Sequence, residues 1–311
     1  MLRRVTLLPV LFLALLLTVS CSTASVPGPT ATAGATAAAA FPMTLTDFQD
    51  RAVAIAKRPE RIVSIGPSNT EFLFALGAGE RVVGDDDFSD EPAAAKTKTH
   101  VGGVKVNLEQ VVALRPDLVV TVKFSDGTLE ALTRTGATVL VVDPQGLTDV
   151  ARTATLLGQA VGADGSKLAK DIQQRIDEVK AKTGPAAKPK VFHEIDASDP
   201  AKLYSVGPGS FIDDLINVAG GANILAAAKT AYPTVSGEEI IRADPEIIVL
   251  ADAAYGTTVE SVTARPGWAV ISAVKNKKVF PVAGSLFSRP GPRVGDAALA
   301  YAKLLHPDLF K

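Results

Sequence analysis

The residues of this 311-residue chain whose types could do chemistry are few and widely spaced. His100, His193 and His306 lie far apart in sequence, whereas a site for a bare zinc or manganese ion needs several histidines and carboxylates around one ion, so no metal centre is expected. His193 sits in the apolar run Val191–Ile195 and reads as a packed strand residue, and Asp85-Asp86-Asp87 reads as a solvated loop rather than a cation site. Covalent chemistry lacks its usual parts. There is no Gly-x-Ser-x-Gly elbow and no Gly-Lys-Ser/Thr phosphate loop, and Gly207-Pro208-Gly209 lacks the third glycine of a dinucleotide turn because Ile212 stands there. No catalytic residue and no resident cofactor are therefore expected. A surface hydrolase or reductase on an α/β frame, and an adhesin or sensor lipoprotein, are the lesser alternatives to a small-molecule binder.

The single cysteine has another use. Arg3 and Arg4 precede an apolar run from Val5 to Val19, too short to span a bilayer and ended by Ser20 and Cys21. Residues 1–20 read as a secretory leader, and Cys21 has the position of the lipid-modified residue of a bacterial lipoprotein. The box Thr18-Val19-Ser20-Cys21 departs from the usual pattern, with its leucine one place early at Leu17. Residues 21–40 carry no charge and read as a flexible tether. The expected product is held on the extracytoplasmic side of a membrane by lipid. Loss of the leader turns 32 Lys+Arg against 33 Asp+Glu into 30 against 33, a balance that argues against nucleic acid as a partner.

The short apolar runs Arg61–Ile65, Leu118–Val122, Val139–Val142, Val191–Ile195 and Ile247–Leu250 alternate with stretches of helical period. This predicts an α/β fold of two Rossmann-like lobes with parallel sheets. Two segments recur. Ser64-Ile65-Gly66-Pro67 returns as Ser205-Val206-Gly207-Pro208, and Asn107–Thr121 returns without a gap as Ser236–Leu250, which points to two related lobes. Between them Leu168, Ile172, Ile176 and Val179 have helix spacing. The expected division is an N-terminal lobe over 41–162, one long rigid connecting helix over 163–184 and a C-terminal lobe over 185–311, with the ligand cleft between the lobes. A stiff connector predicts little closure, and a monomer is expected.

At this point the sequence resembles the helical-backbone class of substrate-binding proteins that serve importers of vitamin B12, haem and ferric siderophores. The resemblance covers about residues 41–311 and rests on Pro59–Glu71, Asn107–Thr121, Gly220–Ile224, Ser236–Leu250 and Arg289-Pro290-Gly291-Pro292-Arg293. Phe88–Pro92 is similar to the corresponding turn of the B12-binding members. In those members tryptophans stack on the corrin from positions that match Gly103, Val122 and Leu286; the one tryptophan here, Trp268, lies elsewhere. Aromatic residues at matching positions are Phe88, Tyr204, Tyr232 and Phe287, with Phe124 and Tyr255 on neighbouring loops. The resemblance implies a ligand between Phe88 and Phe124 on one side and Tyr204, Tyr232 and Phe287 on the other, with Arg289 among the ligand residues.

Ligand choice turns on charge. Binders of anionic siderophores tend to place several cations in the cleft, and the candidates here are Lys105, Lys123, Arg289 and Arg293, of which Arg293 reads as pinning the last helix to a neighbouring loop. Corrinoids ask for apolar faces and hydrogen bonds. The order is therefore corrinoid, ferric siderophore, then haem, for which Tyr204 or Tyr232 would be the axial ligand. Glu109 and Glu238 stand at the second position of the repeated helix. Asn107 and Ser236 are its expected N-caps, with Gln110 and Glu239 as reciprocal capping-box partners. Taken as residues the two acids complement the helix dipole. The resemblance implies that each docks one lobe onto a dimeric ABC permease.

Overall fold

The computed structural model describes residues 40–282 and 284–311. Cys21, the leader and nearly all of the tether lie outside the described residues.

The N-terminal lobe opens with an antiparallel hairpin of β1 (Met43–Thr46) and β2 (Ala52–Ile55). Its main sheet contains β3 (Ile62–Ser64), β4 (Val82–Asp85), β5 (Thr99–His100), β6 (Leu118–Thr121) and β7 (Thr138–Val141) in the order β5-β4-β3-β6-β7, every pair parallel. Such a sheet is covered on both faces, which is why β6 reads Leu-Val-Val-Thr with all four residues buried. Leu118 and Val120 face α1 (Pro67–Ala75) and α4 (Leu147–Val161), while Val119 faces α2 (Leu108–Leu114) and α3 (Thr128–Thr133). Asp47 fixes the hairpin: its buried carboxylate accepts from the Arg51 side chain at 2.6 and 2.9 Å and from the Val141 N–H at 3.2 Å.

The connector is α5 (Ser166–Thr183), 18 residues or about 27 Å long. Ile172, Ile176 and Val179 are buried along one side, against α4 and against the last long helix of the chain. Gly165 allows the approach to α4, since a Cβ there would collide with the Ala154 carbonyl oxygen.

The C-terminal lobe contains β8 (Lys190–Asp196), β9 (Leu203–Ser205), β10 (Ala222–Asn223), β11 (Thr234–Val235), β12 (Ile247–Leu250) and β13 (Val279–Pro281). Its helices are α6 (Phe211–Val218), α7 (Gly237–Ala243), α8 (Val259–Thr263), α9 (Ser272–Lys275), α10 (Gly284–Ser288) and α11 (Val294–Leu305). The sheet order is β11-β9-β8-β12-β13, with β10 also on β8. Here the expectation of a wholly parallel sheet is corrected: β8 is parallel to β12, and β12 to β13, but β9 runs antiparallel to both β8 and β11. The link from β8 to β9 is six residues of Asx turns, in which Asp196 takes the Ser198 N–H at 2.8 Å and Asp199 takes the Ala201 N–H at 2.9 Å. A link that short has no room for the crossover a parallel strand needs.

The gap-free repeat is the same unit in space. Asn107 and Ser236 each cap a seven-residue helix through the side chain; Arg115 (φ 47°) and Asp244 (φ 49°) each end it in the left-handed region; four fully buried strand residues follow. The shorter recurrence is looser. Pro67 opens α1 directly, but after Pro208 the turn continues through Gly209 and Ser210 before α6 begins.

One apolar cluster runs through both lobes. It joins Phe72, Leu118 and Val150 to Ile172 and Ile176 of α5 and on to Val191, Leu215, Ala298 and Tyr301. Close-packed interiors transmit strain rather than flow, so this shared core binds the lobes into one body. Within it the His193 ring accepts or donates to the Tyr301 hydroxyl at 2.9 Å, and burial pulls its pKa down to about 4. His193 is thus a core residue held neutral.

Candidate functional site

In open α/β lobes the loops at the carboxyl ends of parallel strands are the ones free to meet a ligand. On the N-terminal lobe the loop after β4 is fixed by Asp86, whose carboxylate accepts from Gly66 N–H at 2.6 Å, Phe88 N–H at 2.9 Å and Ser89 Oγ at 3.1 Å. Asp85 beside it is fully buried and lies 2.8 Å from His100 Nδ1. Burial lifts its carboxyl to about 6, against the pull of the His100 hydrogen bond. The expectation of a solvated acidic loop is therefore corrected at Asp85 and Asp86: they are the internal struts of the turn. Phe88, half exposed, projects from it. A Cβ at Gly103 would stand 3.1 Å from the Phe88 ring, so Phe88 fills the space that a tryptophan at Gly103 would enter. Phe124, after β6, packs partly on the cluster of Val63, Val101 and Val119.

On the C-terminal lobe, Tyr204 of β9 pairs with Thr234 of β11, and Tyr232 lies two residues before Thr234 on the same face. Both tyrosines are 47 % exposed. The Tyr232 phenol is raised by burial and then by the charge of Asp143, which follows β7 on the other lobe. Asp143 is itself raised by burial, with the Lys123 N–H and its charge acting the other way. The charge of Asp143 thus acts on Tyr232 across the gap. The two lobes meet where Asp214 of α6 accepts the Leu147 N–H at 2.9 Å.

A second meeting point changes the reading of two residues. Glu71 on α1 is 4 % exposed. Arg293 grips it with two hydrogen bonds of 2.8 Å, and Arg289 reaches it at 3.2 Å while donating to Asp90 at 2.6 Å and to the Phe88 carbonyl at 2.9 Å. The assignment of Arg289 as a ligand residue is corrected: its guanidinium is committed to the N-terminal lobe and holds the loop that carries Phe88. Arg293 pins α11 to α1 rather than to a loop. Phe287 is also corrected. It is 5 % exposed and packs edge-on against Tyr301, with ring centroids 5.7 Å apart, so it fills core and offers no face to a ligand.

Glu109 and Glu238 stand exposed at the second positions of α2 and α7, and neither makes an ion pair among the described residues. Their caps differ. Ser236 and Glu239 form the reciprocal box, but the Asn107 N–H goes to the Val101 carbonyl at 2.7 Å, and Gln110 meets only the Asn107 side-chain amide at 3.3 Å. Sequence reasoning missed Glu71, Asp143 and Asp252. The last follows β12 at its carboxyl end, and the strand-end rule alone would have marked it.

Two α/β lobes spanned by a single helix, with aromatic faces on both sides of the gap, define a two-lobed substrate-binding protein. The match to the model described as periplasmic binding protein, over residues 62–283, shows that the chain belongs to that family. It is 34 % identical to an uncharacterized ABC transporter substrate-binding lipoprotein of Bacillus subtilis, over 87 % of this chain and 88 % of that protein. It is 30 % identical to a cobalamin-binding protein of Halobacterium salinarum, over 86 % of this chain and 75 % of that protein. Among solved structures it resembles the periplasmic vitamin B12 binding protein of Vibrio cholerae, with a TM-score of 0.70 and 26 % identity, covering 80 % of this chain and 98 % of that one.

The Asp85 strut carries a pH signature. Its folded pKa of about 6 lies above the ordinary 3.8, so its contribution to stability is fully present below about pH 3.8 and is lost as pH rises through about 6. Asp85→Asn removes that loss. Chemical denaturation of both proteins should show the variant gaining on the wild type by about 1–3 kcal/mol between pH 4 and 7.5. A stability difference that stays constant with pH would contradict this account of Asp85.

Proposed function

We propose that this chain is the extracytoplasmic substrate-binding component of an ABC importer, that it captures a corrinoid between its lobes, and that it hands it to a permease dimer. It acts as a monomer, without catalysis, tethered to the membrane through a lipid on Cys21 and the segment 21–40. The observation that carries the ligand choice is the neutralisation of the cleft arginines: Arg289 and Arg293 are both bound to Glu71, and Arg289 also to Asp90. An anionic ferric siderophore would find only Lys105 and Lys123 of the four candidate cations free on the surface. Phe88, Tyr204 and Tyr232 keep exposed ring faces, and Phe124 a partial one, which suits a large amide-rich macrocycle. The corrinoid binders among the relatives support the same choice.

Docking rests on Glu109 and Glu238. Related by the repeat, they would meet arginines on two permease subunits through charge-assisted hydrogen bonds.

Two experiments test this reading. The purified protein, incubated with cyanocobalamin, ferric siderophores or haem and then desalted, should keep the visible spectrum of cyanocobalamin. Tyr232→Ala should weaken that binding about tenfold or more, in line with the cost of removing a stacked aromatic. Retention of haem or a ferric siderophore in place of the corrinoid would overturn the ligand choice, and unchanged affinity in both Tyr204→Ala and Tyr232→Ala would overturn the pocket. In membranes reconstituted with the cognate importer, Glu109→Arg combined with Glu238→Arg should abolish transport while leaving ligand affinity intact; full transport would reduce the two acids to helix-end charges.

A further inference from the structure

A hollow of about 570 Å³ opens at the carboxyl ends of β8 and β12, lined by Asp196, Ser198, Asp252, Tyr255 and Thr257 among others. Neither the aromatic cleft nor the docking acids account for it. It adjoins the cleft, because Asp196 pairs in register with Tyr204 across β8 and β9.

Its floor holds an unusual group. Asp252 is 4 % exposed. One carboxylate oxygen, Oδ2, accepts from Thr257 Oγ1 at 2.8 Å; the other, Oδ1, is buried without a hydrogen-bond partner among the described residues. It forms no ion pair among the described residues. Arg265 is spent on Glu194 through hydrogen bonds of 2.5 and 2.8 Å, and Glu194 feels the charges of both Asp252 and Asp196. A buried carboxylate with an open lone pair is costly to hold, and such groups persist where a ligand completes them. Metal is a poor fit, since no three His, Cys, Asp or Glu side chains come together as a cation site among the described residues. The hollow also has the wrong sign for an anion. What fits is an N–H donor entering over Tyr255, which is 91 % exposed at the rim.

We propose that this hollow is a subsite for a primary amide on the rim of the transported ligand, with the Asp252 carboxylate accepting the amide N–H and Thr257 holding that carboxylate in position. The choice of an amide rests on the corrinoid reading, because a corrinoid carries primary amides around its edge. Charge-assisted hydrogen bonds of this kind are about twice as strong as neutral ones, so the subsite would also set specificity: a carboxylate at the same place would be repelled.

The test uses cyanocobalamin and its monocarboxylic acids, each with one peripheral amide converted to a carboxylate, on the wild-type protein and on Asp252→Asn. One of the acids should bind the wild type at least about tenfold more weakly than cyanocobalamin, and that gap should shrink to within about threefold on the variant. All acids binding the wild type within about twofold of cyanocobalamin, or a gap of the same size on both proteins, would overturn the subsite. A second readout needs no ligand. Removing a buried, half-satisfied charge should raise the Tm of the ligand-free Asp252→Asn protein by about 2 °C or more, whereas a structural strut would lower it. A fall in Tm overturns the proposal. If cyanocobalamin does not bind the wild type, the corrinoid reading is what fails, and the Tm result still decides the character of Asp252.

Discussion

The arrangement of the whole molecule depends on one buried carboxylate. Glu71, on the first long helix of the N-terminal lobe, is held by Arg289 and Arg293 from the far end of the chain. Removing one partner of a buried ion pair commonly costs on the order of 3–5 kcal/mol, because the other charge is left without solvent or counterion. Here the same contact sets the spacing of the lobes and, through the Arg289 bond to the Phe88 carbonyl, the position of an aromatic face in the cleft. The short loop Pro290-Gly291-Pro292 fixes the two arginines relative to each other, and Gly291 lets it lie close to Glu71, where a Cβ would stand 3.1 Å from the carboxylate.

Much of the α/β frame was legible in the sequence because parallel strands buried on both faces must be runs of Val, Ile and Leu, and because the repeat from Asn107 to Thr121 kept its register without a gap. Capping chemistry was legible too at Ser236, where the serine and Glu239 satisfy each other locally. It failed at Asn107 because the Val101 carbonyl, where the loop turns back on itself, took the N–H that Gln110 was expected to reach. The same limit explains the site. Arg289 looked like a cleft cation, since nothing near it in sequence is acidic; its partners Glu71 and Asp90 lie about two hundred residues away. Phe287 matched an aromatic position, but the turn of α10 points it at Tyr301. Local pattern gives residue type and face, and tertiary partners then decide which side chains remain free.

What remains free is informative. Tyr204 on β9, Tyr232 just ahead of β11 and one phenylalanine on a turn braced by Asp85 and Asp86 give the gap apolar surface with little net positive charge. The acids at the helix starts point to solvent from each lobe, related by the same repeat that built the sheets.

Rigidity is therefore the central claim, and it joins the Glu71 contact, the continuous helix α5 and the apolar cluster that runs through both lobes. Small-angle scattering of the purified protein with and without saturating cyanocobalamin measures it most directly. The radius of gyration should change by less than about 1 Å on binding, as expected for lobes that shear slightly rather than rotate about a hinge. A fall of several ångströms would show that the lobes close on the ligand and that neither the helix nor the Glu71 contact fixes their spacing.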